Sequence, residues 1–212
     1  REWNWELRNM SDRELLAAAE YGRKLGLLDR TVNSADKTKT EHDFSLRFPT
    51  PYLNVVQRNA DAVGLDIAWA YGLIRQESRF IMDARSSVGA SGLMQVMPFW
   101  TRSIGDKDTR KLFHLQSNLR YGCTILRHSL DIEGGNLYLA LGRYNGSRGQ
   151  PQYPNAVLAA WKRWQYQESS ALTVSAPVPA EAPPPRAKAL PDVPARNPFS
   201  PMRIAAGSAG GS

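Results

Sequence analysis

Between residues 12 and 164 the apolar side chains recur at helical spacing, and most such stretches lie between a residue type that starts a helix and one that stops it. Only residues 80–87 offer a weak hint of two-residue alternation, so the pattern predicts a mainly α fold with little or no β-sheet. Ser11 and Glu14 form a capping-box pair ahead of Leu15, Leu16, Ala19 and Leu25, which predicts a helix over about 12–28. Residues 31–48 are polar and aperiodic and read as a loop. Pro51 suits the first turn of a second helix that carries Val55, Val56 and Val63 and stops at Gly64. Asp66 can cap a third helix over 67–79. Pro98 can open one over 99–104, Asn118 can cap 119–133, Asn136 can cap 137–144, and Pro154 can open a last one through Trp164.

The material for a core is unevenly spread. All six Trp and all eight Tyr precede residue 169, whereas nine of the 14 prolines fall between Pro177 and Pro201. The expected organisation is therefore a helical lead-in and polar loop over 1–48, a folded domain over 49–168, and a disordered Pro/Ala/Gly-rich tail over 169–212 that can recruit a protein partner. The net charge is +7. The tail holds four cations against two acids, so two of the seven net positive charges lie there and five in the preceding region, which suggests an acidic partner. Cys123 is the single cysteine, so no intrachain disulfide can form. No run of about 18 apolar residues occurs, so the sequence predicts no membrane span.

Ile67, Ala70, Tyr71 and Ile74 make a core-facing stripe, and Glu77 continues it at the C-terminal end of the same predicted helix. Desolvation and the negative end of the helix dipole both disfavour a charge there, so the carboxyl should hold its proton to higher pH, as a glycosidic general acid must. The competing reading is a structural ion pair with Arg75, Arg79 or Arg85. Beyond it, residues 86–98 read SSVGASGLMQVMP: glycines permit close backbone approach to a ligand, and the Gln95 amide sits between the adaptable side chains of Met94 and Met97. This mix suits a sugar ring with an N-acetyl group, or else a tight turn into a core helix. Tyr144 and Asn145 leave a helix end where a phenol can reach into a cleft, although Asn-Gly is also common helix punctuation.

Taken in order, Glu77-Ser78, the Gly89–Pro98 run GASGLMQVMP and Tyr144-Asn145 resemble the catalytic domain of the soluble lytic transglycosylases, the goose-type-lysozyme-like family, over roughly residues 50–165. The resemblance implies a lysozyme-like helical domain. It would cleave the β-1,4 bond between N-acetylmuramic acid and N-acetylglucosamine in peptidoglycan and leave 1,6-anhydromuramic ends. It implies Glu77 as sole acid/base and Tyr144 as the residue that holds the Glu77 carboxyl or the developing oxazolinium. Ser86, Gln95 and Met97 would line saccharide subsites, Ser78 would support the helix end, and Asn145 would support the loop that carries Tyr144. The partner would be the glycan strands, in the periplasm or cell envelope, with a signal peptide upstream of Arg1.

Paired-carboxylate glycosidases need a second acid about 5–10 Å from the first. Asp83 is the near candidate in sequence, while Asp106 and Asp108 read as solvated surface, so either the substrate's own N-acetyl carbonyl serves as nucleophile or a second carboxylate arrives from far along the chain. Arg143 departs from the small residue usual in the family, and can either pair with a peptide-stem carboxylate or point into solvent. His42, His114 and His128 are scattered, so no metal or other cofactor is expected. Cys123 reads as a buried small hydrophobe, and Trp161 and Trp164 as core aromatics beside the solvated Lys162 and Arg163 rather than a nucleic-acid patch. A lysozyme-like hydrolase, a non-catalytic peptidoglycan-binding module and a basic nucleic-acid binder are the alternatives.

Overall fold

In the computed structural model the described residues are 2–104 and 108–171, with side chains described through 164. The helices are α1 (Glu2–Glu6), α2 (Asp12–Lys24), α3 (Leu28–Ala35), α4 (Phe44–Arg47), α5 (Leu53–Asp61), α6 (Ile67–Glu77), α7 (Phe99–Ser103), α8 (Leu115–Ile132), α9 (Leu137–Asn145) and α10 (Gln152–Ala171). Extended pairing among the described residues is limited to isolated bridges, Arg85 with Ser91 and Ser91 with Val96. The mainly α expectation thus holds, and the hint of alternation at 80–87 comes to a single bridge. Of the expected tail, 169–171 complete α10 and the rest lies outside the described residues, as does Asp106.

The chain divides into two compact units, Arg1–Leu53 with Arg79–Ile81, and Asn54–Ser78 with Met82–Ser212. In the first, the capping box at the start of α2 forms as the sequence suggests: Ser11 Oγ accepts from Glu14 N, and Glu14 Oε2 accepts from Ser11 N at 2.8 Å. The helix ends at Lys24, short of residue 28, because Gly26 turns the chain with φ of +72°. Residues 31–48 are not a loop throughout, since α3 and α4 occupy much of the segment. Their buried side chains include the small hydroxyls Thr31 and Ser34, which make the stretch read as polar, and Thr31 Oγ1 is satisfied by the Leu27 carbonyl at 3.1 Å. Ala19, Ala35 and Leu46 form a small core with Leu16 against it. Asp12 accepts from the backbone N–H groups of Lys39, Thr40 and Glu41, which holds its carboxyl well below the usual range. It lines an open hollow of about 580 Å³ with Arg8, Lys37 and Lys39, where its charge is committed to the loop.

The second unit is built on α6, buried at Ile67, Ala68, Ala70, Tyr71, Gly72, Leu73, Ile74 and Glu77. Asp66 caps it through Ala68 N at 2.8 Å. α10 lies against α6: Trp164 stacks on Tyr71 with centroids 5.9 Å apart, and Trp161 donates to Asp66 Oδ2 at 3.3 Å. The approach is close because residue 72 is glycine. A Cβ there would sit 3.0 Å from the Val157 carbonyl oxygen and 3.2 Å from Trp161 N. α8 and α9 form a hairpin through Gly134 and Gly135, and α9 also packs on α10. No helix of the described residues is long and apolar enough to cross a membrane.

Candidate active site

Glu77 is the last residue of α6 and is 8% exposed. The next turn is abrupt. Ser78 closes the helix by donating from both N and Oγ to the Ile74 carbonyl, and Arg79 and Phe80 then take φ of +51° and +68°. Left-handed conformations at non-glycine residues cost about 1–2 kcal/mol each, so packing must impose the bend that ends α6 at the carboxylate.

None of the three arginines near it in sequence pairs with Glu77. Arg79 donates to Asn33 Oδ1 at 2.6 Å, Arg85 lies over the Phe113 ring at 5.1 Å, and Arg75 lies over the Trp164 ring at 5.9 Å. The carboxyl instead meets neutral donors: the Tyr153 hydroxyl donates to Oε1, and the Asn145 amide donates as well. Burial raises its pKa from the ordinary 4.5 to about 7, and the two hydrogen bonds oppose the rise without cancelling it. Asp83 is exposed, and Asp108 caps the 3-10 turn that follows it and pairs with Arg110 at 3.0 Å. Neither offers a buried second carboxylate.

Tyr144 was expected to hold either the Glu77 carboxyl or the developing oxazolinium, and of these the contact with the carboxyl is made by a different hydroxyl. Tyr144 OH donates to the Met94 carbonyl at 2.7 Å, and a phenol has one proton to give. Tyr144 stays close enough that the Glu77 charge helps burial raise its pKa. It therefore ties the 86–98 loop to the end of α9. Tyr153, the hydroxyl that does reach Glu77, is 76 positions away in sequence, in the first turn of α10, where the sequence with Pro154 and Val157 resembles the family segment that closes the domain but does not point to Glu77. Asn145 goes beyond its expected role under the Tyr144 loop, because its side chain touches the carboxyl itself.

The loop is held from α8. Asn118, read from sequence as a helix cap, instead lies inside α8, which starts at Leu115. It is wholly buried: its Oδ1 accepts from Met94 N at 2.8 Å, and its Nδ2 donates to the carbonyls of Ser91 at 2.9 Å and Leu112 at 2.7 Å. Gly92, at φ +77°, makes this possible, because a Cβ would lie 2.2 Å from Asn118 Nδ2 and 2.3 Å from the Leu112 oxygen. Within the loop, Ser86 Oγ accepts from Ala90 N at 2.9 Å, and Gln95 Nε2 donates to Gly92 and Ala84 carbonyls at 2.9 and 3.1 Å. Gln95 Oε1 is buried without a protein partner, and Met97 is half-buried where the loop meets α7. Cys123 is buried with its thiol pushed up to about 12, which makes it inert as a nucleophile. No cluster of three metal-ligating side chains occurs among the described residues.

Fold and site together define a helical domain with a buried carboxylic acid that has no cation partner at a helix end, and a glycine-rich loop tied down by Tyr144 and Asn118. The transglycosylase SLT domain family model matches residues 54–163, just over half of the 212-residue chain, and the chain belongs to that family. Among curated relatives, the soluble lytic murein transglycosylase of Salmonella typhimurium is 28% identical over 156 residues, and that of Escherichia coli K12 is 26% identical over the same length. Each match covers 70% of this chain and 24% of the relative, so the chain spans about a quarter of their length. Among solved structures, an inactive mutant of the lytic transglycosylase Slt from Pseudomonas aeruginosa aligns with a TM-score of 0.68 at 26% identity, over 79% of this chain and 33% of the other. The 70 kDa soluble lytic transglycosylase of Escherichia coli, at 23% identity and the same TM-score, covers 79% of this chain and 32% of its own, and shows the same fold.

Proposed function

We propose that this protein is a peptidoglycan lytic transglycosylase that cleaves the β-1,4 bond between N-acetylmuramic acid and N-acetylglucosamine and leaves a 1,6-anhydromuramic end. The observation that carries the reading is Glu77: a buried carboxyl with hydroxyl and amide partners, no cation, and a pKa of about 7, which keeps much of it protonated at neutral pH. In the first step its proton passes to the glycosidic oxygen as the bond from C1 breaks, and the substrate's N-acetyl carbonyl oxygen closes onto C1 as an oxazolinium. The Glu77 carboxylate then takes the proton of the C6 hydroxyl, whose oxygen attacks C1 and reopens the ring. The acid form returns and no water is consumed. Asp83 is exposed and Asp108 and Glu133 are each paired with arginine, so none of these is a free buried partner for Glu77, which favours this substrate-assisted route.

Tyr153 and Asn145 aim the carboxyl, and Tyr144 holds the loop that presents Ser86, Gln95 and Met97 to the glycan. The unpartnered Gln95 Oε1 is suited to accept the N–H of an N-acetyl group. In this reading 49–168 is the catalytic domain, 1–48 its helical lead-in, and the enzyme works in the periplasm or cell envelope after export by an upstream signal. The 169–212 tail is a proposed partner-recruiting segment. The glutamate-to-glutamine mutant of the Pseudomonas relative, described as inactive, is in keeping with a single essential glutamate. Digestion of purified murein with mass spectrometry of the released muropeptides tests the reading. Anhydro products are expected; products heavier by one water would mean a hydrolase, and none would mean a binding module.

A further inference from the structure

Arg143 is where the chain departs from the small residue that the resemblance leads one to expect, and neither of the readings open to it from sequence describes its position. Its side chain is 16% exposed, and Nε donates to Glu133 Oε1 at 2.8 Å. Glu133 caps α8, and its side chain is 6% exposed. The same carboxylate takes a second guanidinium: Arg148 Nη2 lies 3.1 Å from Oε1 and 3.2 Å from Oε2. Arg143 belongs to the last turn of α9, and Arg148 to the link into α10. One buried carboxylate thus grips the chain on both sides of Gly146, which reverses it at φ +75°. The link also folds back on α9, since a Cβ at Gly142 would touch the Arg148 Cα at 3.6 Å.

Between those grips lie Tyr144, Asn145, Gly146 and Ser147. Asn145 has little else to hold it: its amide donates to Glu77, while its buried Oδ1 has no partner. A helix end frays unless something outside the helix fixes it. We infer that Glu133, through Arg143 and Arg148, is a positioning residue for the reaction proposed above, holding the end of α9 so that the Asn145 amide stays on the Glu77 carboxyl.

The groups that face Glu77 are Tyr153 from α10 and Tyr144 and Asn145 from α9, with Cys123 of α8 acting on Tyr144. Of these, Asn145 is the one the staple holds most directly. Loosening it removes a donor to the charged carboxylate, so Glu77 should titrate at higher pH in Arg143→Ala and Glu133→Ala. The expected upward shift is about half a unit to one unit, measured by NMR on the Glu77 carboxyl without substrate. On murein, kcat should fall about tenfold with KM within about twofold. Glu133→Gln keeps an oxygen for Arg143 Nε and should stay within about threefold of wild type. A destabilised Arg143→Ala whose Glu77 titrates as in wild type would make the triad merely structural and overturn the inference. So would an unmoved titration with KM raised only on peptide-bearing murein, which would make Arg143 a substrate contact. If the alanine variants do not fold, Arg143→Lys decides: a smaller shift in the same direction supports the inference, and none overturns it. Because the titration needs no substrate, it can stand even if murein digestion shows the lyase reading to be wrong.

Discussion

The second unit holds two carboxylates at helix ends, both shielded from water, and their partners make them opposite devices. Glu133, at the end of α8, meets two guanidiniums and serves as an ion-pair anchor. Glu77, at the end of α6, meets a phenol and an amide, and burial lifts its pKa to about 7. Burial alone therefore does not decide what a carboxyl is suited to do. What separates the two is whether the fold supplies a cation, and at Glu77 the three neighbouring arginines are occupied with Asn33 and two aromatic rings.

The largest expected effect breaks the pair apart by activity. Glu77→Gln removes the transferable proton at nearly constant volume and should lower murein turnover about a thousandfold or more, whereas Glu133→Gln should keep most of it. Rates on the same murein preparation check this, and equal losses would erase the distinction. Next comes stability, where the two respond with opposite sign. Glu133→Ala leaves the largely buried Arg143 guanidinium without its carboxylate, while Arg148 can turn to water, and should cost about 2–3 kcal/mol in chemical denaturation. Glu77 has a raised folded pKa, so its contribution is fully present below about 4.5 and is lost as pH rises through about 7. Glu77→Gln should therefore match wild type near pH 4 and exceed it by up to about 3 kcal/mol at pH 8. Asn118→Ala, which releases the 86–98 loop, should cost about 2–4 kcal/mol on urea denaturation. Tyr153→Phe gives the smallest effect and the finest test. Losing a donor to the charged form should move the alkaline limb of kcat/KM up by about one unit, while a downward move would reverse the role given to Tyr153.

Much of this was legible in the sequence where local rules decide. The α6 stripe, the Ser11–Glu14 box and the caps at Asp66 and Asn136 are set within one or two helical turns, and each appears in the structure. The position of Glu77 at the end of its stripe is likewise local, and so was the expected direction of its titration. What was hidden depends on distance along the chain or on side chains with two uses. Tyr153 reaches Glu77 across 76 positions, and no spacing rule links them. Asn118 looks like a cap because caps and buried loop anchors demand the same amide. α3 looked like a loop because its buried face is partly Thr and Ser, whose hydroxyls bond within the helix or to Trp3 Nε1. Arg143 could not be placed from sequence because its partner, Glu133, lies on another helix end.

The central claim is that Glu77 is a protonated acid near neutral pH because it is buried without a cation. An NMR titration of its carboxyl carbon in the free wild-type protein tests this most directly. A midpoint near 7 is expected, and a midpoint at the ordinary glutamate value near 4.5 would contradict it.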